Sequence, residues 1–316
     1  MKQKMMHPLL VFLALILLVA TFFYGWRVLV LTGINILVAV IVEYLCETKI
    51  FKRKKISEAA IVTAILYSLT LPVSLPIWIS VVGIIVAIFF GKMVFGGFGK
   101  NIFNPALVGR AFIYVNFPQP MTIEWNQIMT GFPGGFAHYI SPHIDEVSTA
   151  TPMLLFRNAG EITALKNLLW GNVTGVMGEA PKIIILIAAV YLIYKKIASW
   201  EIMAGSVLGF TTISLVFTMQ GVNSVPNPLY GMLMGGFLFG TVFMATDPIS
   251  AAKTPLGKWI YGIIIGIITV VIRGFALFSG GMMFAILIGN MFAPIIDYGI
   301  RKQKQKKKVK KEVTNV

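Results

Sequence analysis

Hydroxyl and acidic side chains are concentrated in one segment that ends in a proline, Asp145-Glu146-Val147-Ser148-Thr149-Ala150-Thr151-Pro152. Taken alone, a Ser/Thr/Ala cluster before a proline is most often a turn. The residues by themselves therefore predict a turn, whose hydroxyl and carboxylate groups are the candidates for chemistry in this part of the chain.

Two further segments place polar residues at the ends of apolar runs. In the run 96–106, Gly-Gly-Phe-Gly-Lys-Asn-Ile-Phe-Asn-Pro-Ala, Asn104 before Pro105 predicts a helix N-cap followed by proline at the first helical position. Such a helix N-terminus can also contact an anionic ligand. In Thr246-Asp247-Pro248 we predict a second cap, with Asp247 at the N-terminus of the next helix.

Four ionisable residues lie inside or at the ends of apolar runs, where a charge is costly and usually functional: Glu43, Glu58, Arg110 and Asp297. We expect the three acids to be candidates for a cation path, with Glu43 the best placed. An interfacial position of Glu43 near Lys49 is an equal alternative. Arg110 is expected either to face a bound cofactor or to pair with Asp247 or another acid.

Histidine and cysteine usage excludes several kinds of site. The three histidines form no Ser-His-Asp arrangement with a nucleophile elbow, so no hydrolase site is predicted and no residue is assigned a catalytic role. His138 and His143 are too few for a metal site. A single cysteine, Cys46, excludes a disulfide or a Cys-ligated iron–sulfur cluster within this chain alone.

The composition shows what must position these residues. The chain of 316 residues is 57% hydrophobic and 12% charged, whereas soluble domains are about 45–50% apolar and about 25% charged. Continuous apolar runs predict transmembrane helices, each needing about 20 residues. We predict an all-α polytopic membrane protein with ten spans, approximately 8–25, 28–47, 57–72, 75–95, 103–117, 182–195, 199–219, 228–245, 259–272 and 275–297.

The basic residues predict the orientation of these spans. With both termini in the cytoplasm, 21 of the 27 Lys and Arg residues lie on the inner side and five on the outer side, as the positive-inside rule requires. The net charge of +15 is therefore no sign of nucleic-acid binding. The first run, 8–25, is expected to be a retained helix, because a second span follows directly and no small-residue cleavage site is present.

The longest connection, 118–181, is predicted to lie on the outer face and to carry the chemistry. It is rich in Gly and Pro yet has apolar anchors: Trp125, Phe132, Phe136, Tyr139, Phe156 and Trp170. It would separate two five-helix halves, 1–117 and 182–300, that are followed by a basic, solvated tail, 301–316, expected to be disordered. Asn101–Pro105 is echoed at Asn290–Pro294, which suggests inverted repeats.

The glycine-rich 96–106 run, the Ser-Thr-Ala-Thr-Pro run and Thr-Asp-Pro after a glycine-rich span resemble, in this order and spacing, the NqrB/RnfD family. Those proteins are membrane flavoprotein subunits of the sodium-pumping NADH:quinone oxidoreductase and of the Rnf complex. The stretch 280–297 also resembles this family. Seven residues precede the first span, whereas NqrB proteins have a longer N-terminal extension, so the resemblance is greatest to RnfD.

The resemblance implies a cofactor and its attachment residue. In that family a flavin transferase joins FMN through its phosphate to a threonine in the pattern Asp-Gly-x-Ser/Thr-Gly/Ser-Ala-Thr. Aligned here, it implies Thr151 as the attachment site, with Asp145, Ser148 and Ala150 retained and Glu146 and Thr149 departing. Arg110 and Asn104 are the further candidate cofactor contacts. A second, noncovalent flavin such as riboflavin is also implied, without a location.

The resemblance further implies partners: iron–sulfur and FMN-carrying subunits of an Rnf complex, which couples electron transfer between ferredoxin and NAD to Na⁺ or H⁺ movement in the inner membrane. Two alternatives stay open. One is the NADH:quinone reductase of the sodium-pumping type, and the other is a stand-alone ten-helix transporter in which the loop motif is incidental. This chain alone would complete no reaction, because a flavin needs redox partners.

Overall fold

The computed structural model describes residues 6–53, 57–129, 131–139, 150–180, 182–276 and 280–314, with the side chains of 308–314 excepted. The described residues are mostly helical and contain no β-strand. In chain order the helices are α1 Met6–Tyr24, α2 Arg27–Leu45, α3 Glu58–Leu69, α4 Ile77–Ile88, α5 Pro105–Asn116, α6 Pro118–Thr122, α7 Pro152–Ala159, α8 Leu165–Trp170, α9 Lys182–Tyr194, α10 Trp200–Met219, α11 Pro228–Leu233, α12 Phe237–Phe239, α13 Pro255–Phe275 and α14 Gly281–Thr314. The prediction of an all-α membrane protein is confirmed.

Five helices are long and apolar enough to cross a membrane: Met6–Tyr24, Arg27–Ile50, Trp200–Met219, Pro255–Phe275 and Gly281–Lys307. Three shorter helices are also apolar, namely Glu58–Leu69, Ile77–Met93 and Lys182–Tyr194. Large apolar side chains on these helices are exposed, which fits contact with lipid. The chain is therefore a multi-pass membrane protein. The two-half division and the inverted repeat stay predictions.

Several predicted spans are short or interrupted in the structure, among them the fifth and the eighth. The fifth, predicted over 103–117, is α5 of 12 residues, about 18 Å long at 1.5 Å per residue, which is short of the roughly 30 Å hydrocarbon core. The eighth, predicted over 228–245, is divided into α11, α12 and a π-helical segment Gly240–Met244, with Gly235 at φ +67° between them. Glycine supplies this break because it adopts positive φ at low cost.

A buried irregular segment, 70–76, connects α3 to α4. Its carbonyls would be costly in lipid without partners. Arg27 at the start of α2 satisfies two of them, since its Nε donates to Val73 O (2.8 Å) and its Nη2 to Leu75 O (3.0 Å). Backbone amides of the long loop satisfy one more and the last carbonyl of α3: Met177 N donates to Leu71 O (3.1 Å) and Gly178 N to Leu69 O (2.7 Å). The loop is thereby tied to the helical bundle.

Helices α10 and α13 form the closest helix pair. A Cβ on Gly209 would overlap the Ile263 carbonyl, and one on Gly266 would overlap the Ser206 carbonyl. Small residues of this kind let membrane helices approach closely. The contact fixes the position of α13, which carries Arg273 at its C-terminal end.

The chain end differs from its prediction. Helix α14 continues from the membrane-length segment through Thr314, and residues 301–307 are exposed. The predicted disorder of the basic tail is therefore wrong for the described part, because the Lys- and Gln-rich sequence after Arg301 contains good helix formers and no Gly or Pro that would end the helix.

Candidate functional site

Thr151 is the N-cap residue of α7. Its backbone is extended (φ −68°, ψ 154°), and its Oγ1 accepts a long hydrogen bond of 3.4 Å from Leu154 N. Pro152 occupies the first helical position, where its missing N–H costs nothing. The segment that the residues alone predict as a turn is thus a helix start in the structure, and the cap holds the Thr151 hydroxyl there, with 7% of the residue exposed.

A small apolar cluster holds α7 in place. Met153 of α7 packs with buried Leu168 of α8 and with Leu233 and Met234 at the end of α11. Other predicted anchors of the long loop differ in burial. Phe132 is 93% exposed and Trp170 63% exposed, so these two do not anchor the loop within this chain. Contacts of α7 with α8 and with the end of α11 therefore hold the described segment that begins at Thr151.

A cavity of about 50 Å³ lies beside Thr151. We call it the loop cavity. The long loop, the breaks at 70–76 and 234–236, and the ends of α5, α13 and α14 all contribute to its wall. Its charged and hydroxyl-bearing lining residues are Thr70, Arg110, Tyr114, Thr151, Glu179 and Arg273. Drug-sized ligands occupy cavities of roughly 300–1,000 Å³, so this cavity admits a small group such as a phosphate and not a whole ring system.

Two guanidinium groups reach the loop cavity from different helices. Arg273 is 3% exposed, and its Nη1 donates to Gly231 O (2.7 Å). The Nε atoms of both Arg110 and Arg273 are buried without a hydrogen-bond partner among the described residues. A buried donor without a partner is costly, so the cavity holds two groups that would gain from an acceptor.

Glu179 is the acid that faces these arginines. Burial raises the pKa of the Glu179 carboxyl above its ordinary value, while the positive charges of Lys182, Arg110 and Arg273 act in the opposite direction. The described residues show no ion pair of 4 Å or less between Glu179 and either arginine. Gly235 and Gly236 leave the space that the Glu179 and Arg273 side chains occupy, since added Cβ atoms would lie 2.9 Å from Arg273 Nη2 and 3.3 Å from Glu179 Oε1.

The structure brings together some of the predicted cofactor residues and separates others. Arg110 and Thr151 line one cavity, and Ala150 directly precedes the cap. Asp145 and Ser148 lie outside the described residues. Asn104 lies at the opposite end of α5 from the loop, where its Oδ1 accepts from Ala106 N (3.1 Å) as the predicted cap. It does not line the loop cavity.

Asn104 lines a second cavity of about 110 Å³ instead. We call it the Asp247 cavity. Apolar side chains form most of its wall, and its polar members are Thr63, Lys92, Asn101, Asn104, Thr246 and Asp247. Asp247 accepts from Ser250 Oγ (2.7 Å) and Ile249 N (3.3 Å), so it caps its own turn and not the next helix. Because Arg110 and Asp247 line different cavities, the alternative of an ion pair between them is wrong.

The predicted echo between 101–105 and 290–294 coincides with a contact. Asn290 Oδ1 accepts from Asn104 N (3.0 Å), and Asn290 Nδ2 donates to Tyr261 OH (2.8 Å). The two asparagine segments thus meet beside the Asp247 cavity. This contact neither requires nor excludes an internal repeat.

Glu43 lies in a buried ion pair. Its Oε2 is 2.7 Å from Lys92 Nζ, and its Oε1 accepts from Ser57 N (3.1 Å) and Ser57 Oγ (2.6 Å). Glu43 is 1% exposed and therefore buried within the protein, while its depth in the membrane, and with it the interfacial alternative near Lys49, stays a prediction. Every oxygen of the carboxylate has a partner within the chain, and a role in a cation path stays a prediction.

The other two predicted cation-path acids, Asp297 and Glu58, lie at the N-termini of helices. Asp297 accepts from Lys253 N (2.7 Å), Thr254 N (2.9 Å) and Thr254 Oγ1 (2.6 Å), which makes it the carboxylate at the N-terminus of α13. Glu58 opens α3, and its Oε2 is buried without a hydrogen-bond partner in the described part of the chain. Among the described residues no group of three or more His, Cys, Asp or Glu is placed to hold a metal ion.

Sequence reasoning missed Arg273 and Glu179. Arg273 follows the predicted ninth span by one residue, and Glu179 precedes the sixth by three, so each resembles an ordinary flanking charge. One signal in the sequence could have drawn attention to this region: the pair Gly235-Gly236 interrupts the apolar run that was predicted as the eighth span. Only the fold shows that these positions meet.

The comparison with known proteins decides the family. The sequence model of the NQR2, RnfD, RnfE family matches residues 1–306. This chain belongs to that family. Its similar relatives include a protein from Pseudomonas aeruginosa (strain LESB58) that is named as a subunit of the Na(+)-translocating NADH-quinone reductase. The two are 39% identical over 262 residues, which are 78% of this chain and 60% of the relative.

Proteins of the same name from other bacteria are similar to the same degree. The one from Ectopseudomonas mendocina (strain ymp) is 37% identical over 83% of this chain and 64% of its own length. The one from Yersinia pestis is 37% identical over 79% of this chain and 60% of its own length. The chain thus spans about three fifths of the curated relatives it matches.

Proposed function

We propose that this chain is the flavin-bearing membrane subunit of an ion-translocating oxidoreductase complex, with FMN joined through its phosphate to Thr151 Oγ1. The observation that carries the proposal is the loop cavity, in which the predicted attachment residue meets two buried arginines whose Nε atoms have no partner among the described residues. A phosphodiester is an acceptor for such guanidinium donors. The residues present therefore fit the group.

The residues of the proposed site have separate roles in this function. Thr151 presents its oxygen at the start of α7, and Arg110 supplies positive charge from α5. When bound, FMN supplies one- and two-electron redox chemistry. No described residue needs to act as an acid or base for electrons to pass, so the protein contributes placement, counter-charge and covalent retention.

Flavin fluorescence in a denaturing gel tests the attachment. The complex is produced together with its flavin transferase, and the band of this chain is examined after SDS denaturation. We expect fluorescence in the wild type and in a Thr149→Ala control, and none in Thr151→Ala. A fluorescent Thr151→Ala band, or a dark wild-type band, would favour the stand-alone transporter in which the loop motif is incidental.

Two partner sets are compatible with the family. In an Rnf complex, electrons would pass between ferredoxin- and NAD-linked centres through iron–sulfur and flavin subunits. The named relatives favour the second set, that of an NADH:quinone reductase of the Na⁺-translocating type. The purified complex separates them: reduced ferredoxin should reduce the flavin in the first case, and NADH oxidation should require quinone in the second. The coupling ion, Na⁺ or H⁺, follows from which cation stimulates turnover.

A second, noncovalent flavin belongs to the proposal without an assigned place, because the Asp247 cavity, at about 110 Å³, is also smaller than the roughly 300–1,000 Å³ that a drug-sized ligand occupies. Acid denaturation of the purified complex should release this flavin into solution while the Thr151-linked flavin stays with the chain. A complex that releases no flavin would contradict a second, noncovalent one.

A further inference from the structure

Arg273 has surroundings that a purely structural arginine would not need. It is 3% exposed at the C-terminal end of α13, and its Nη1 donates a hydrogen bond to Gly231 O. Its Nη2 lies against Gly235, and its Nε is buried with no partner among the described residues. A buried guanidinium is normally paired and fully hydrogen-bonded. The spare donor therefore indicates an acceptor that the described chain does not supply.

Charge in the loop cavity shows what sort of acceptor is required. Arg110 and Arg273 bring two positive charges, and Glu179 brings the single negative charge among the described lining residues. Lys182 is not among the lining residues but lies beside them, since its Nζ donates to the backbone carbonyl of Glu179 (3.0 Å). The excess positive charge disfavours a cation in this cavity and favours an anion. A cation path through the loop cavity is thus unfavourable.

We propose that Arg273, with Arg110, forms an anion subsite for the phosphodiester that joins Thr151 to its flavin, and that Glu179 is the positioning residue that fixes the subsite's net charge. This inference rests on the proposed function. It adds two residues that neither the loop motif nor the family membership assigns. The ligand chemistry is a singly charged phosphodiester, and a free inorganic phosphate is the alternative source of the same chemistry.

The geometry at Thr151 is compatible with this occupant. Esterification removes the proton of Oγ1 but leaves its lone pairs, so the weak 3.4 Å bond from Leu154 N can persist. The cavity, at about 50 Å³, has room for a phosphate beside Oγ1, while the ring system would lie outside it. A flavin held this way is anchored at its phosphate and exposed at its redox-active end.

Glu179 has a separate part because it opposes the arginines. It approaches Gly236 from the loop, and Gly178 beside it is tied to Leu69 O through a backbone hydrogen bond of 2.7 Å. The carboxylate is thus held at a fixed place relative to Arg273. Positive charge near a flavin favours its reduced form, and negative charge favours its oxidised form. Removing the charge of Arg273 and removing that of Glu179 should therefore shift the midpoint potential of the flavin in opposite directions.

The first arm of the test measures occupancy in the purified complex. Covalent flavin per chain is determined by fluorescence of the denatured band for Arg273→Gln, Arg273→Lys and the exposed control Lys166→Gln. We expect Arg273→Gln to lower occupancy several-fold, Arg273→Lys to restore part of it, and Lys166→Gln to leave it unchanged. Added inorganic phosphate serves as a probe: if a free anion is the true occupant, Thr151→Ala should still show saturable phosphate binding that Arg273→Gln abolishes.

The second arm measures the midpoint potential of the flavin that remains attached. At a fixed solution potential, Arg273→Gln should shift the oxidised-to-reduced ratio toward oxidised and Glu179→Gln toward reduced. Each shift is expected on the order of tenfold, the effect of one unit charge roughly 10 Å away at an effective dielectric near 20. The control Glu161→Gln should not move the ratio. A general folding defect would not give shifts of opposite sign.

The two proposals fail in different ways. If Thr151→Ala keeps its flavin, the attachment itself is wrong. If Thr151→Ala loses the flavin while Arg273→Gln keeps full occupancy and an unchanged potential, the attachment holds and the anion subsite is wrong. Shifts of the same sign in Arg273→Gln and Glu179→Gln would also overturn the role of Glu179.

Discussion

Thr151 is both a helix cap and the proposed attachment point, and the two roles can be separated by substitution. Its side chain accepts from Leu154 N at 3.4 Å, which is long for a hydrogen bond. Replacing an N-cap residue by alanine costs about 1 kcal/mol, and the long bond places this cap at the low end. Loss of flavin in Thr151→Ala could therefore be attributed to a frayed α7 unless a capping variant is tested.

Thr151→Asn provides that variant. Asparagine caps a helix as well as threonine but has no hydroxyl to esterify. We expect Thr151→Asn to match the wild type in the rate at which protease cuts the 150–180 segment, and to carry no covalent flavin. Limited proteolysis and in-gel fluorescence measure both on one sample. Faster cleavage of Thr151→Asn than of Thr151→Ala would show that the cap was misjudged.

Glu179 predicts a pH dependence at the same site. Burial raises the pKa of its carboxyl, so the charge is lost as pH falls through the raised value, and protonation is favoured in the folded chain. The groups facing it are Tyr24 of α1, Arg110 of α5, Lys182 of α9 and Arg273 of α13. As pH falls, the net charge of the loop cavity becomes more positive, and the flavin becomes easier to reduce.

The measurement is the difference in midpoint potential between the wild type and Glu179→Gln. This difference removes the flavin's own titration. It should be large above the raised pKa, where Glu179 is ionised, and should vanish below it. A difference that stays constant across the pH range would show that Glu179 does not titrate there.

At the scale of the element, two roles of Asp297 can be distinguished: a cap at the start of α13 and a ligand in a cation path. The carboxylate on α14 accepts three hydrogen bonds at the N-terminus of α13. Hydrogen bonds to charged groups contribute roughly 1.5–3 kcal/mol, so Asp297→Ala should destabilise the α13–α14 pair by about 2 kcal/mol. Asp297→Asn should lose less, because its amide oxygen still accepts.

Thermal unfolding of the membrane-extracted complex, followed through precipitation of this chain, should rank wild type above Asp297→Asn above Asp297→Ala. The control is Lys258→Gln near the same helix start, whose 3.9 Å contact with Glu201 is partly exposed and worth little. If Asp297→Ala unfolds like the wild type but loses ion transport, the cation-path prediction gains and the capping role is wrong.

The position of a helix was predictable from the sequence where the residues of that segment alone determine it. The long apolar runs that form α1, α2, α10 and α13 need about 20 residues to cross lipid, so their existence follows from composition. The Asn104-Pro105 cap was predictable for the same local reason, whereas the residues before Pro152 were predicted as a turn and begin α7. The broken segment 228–244 was not, because its interruption at Gly235 depends on tertiary partners that replace the lost helical bonds.

The candidate site was predictable only in part. Thr151 and Arg110 could be named from a motif and from the cost of a charge in a span. Arg273 and Glu179 could not, since nothing local distinguishes a buried charge at a helix end from a solvated one. Glu43 shows a different limit: its place in an apolar run is visible in the sequence, but its partner Lys92 lies 49 positions away, in the π-helical segment Phe89–Met93 that follows α4.

At the scale of the whole molecule, charge asymmetry predicts which way the loop faces. We propose that the 118–181 loop is outside the cytoplasmic membrane and both termini are inside. The native Cys46 is free and buried, so it is first replaced by alanine. Lys166→Cys in α8 should then react with an impermeant thiol reagent in intact spheroplasts, and Lys304→Cys in exposed α14 only in inverted vesicles. Labelling of both from one side would contradict this topology.

The long loop, the connection 70–76 and the interruption at Gly235 all contribute to the loop cavity. Thr70 comes from the connection, Gly235 from the interruption, and Thr151 and Glu179 from the long loop. The assembled fold therefore determines which charged groups meet there, and the proposed attachment of FMN is the point at which the whole arrangement can be tested.

Intact mass of the chain is the most direct test of the central claim. Mass spectrometry of the denatured chain, produced with its transferase, should show the polypeptide mass plus one FMN less one water, as a phosphodiester requires. The same addition should appear in Thr149→Ala and be absent from Thr151→Ala. An unmodified wild-type mass, or an addition that survives in Thr151→Ala, would contradict the claim that Thr151 carries the flavin.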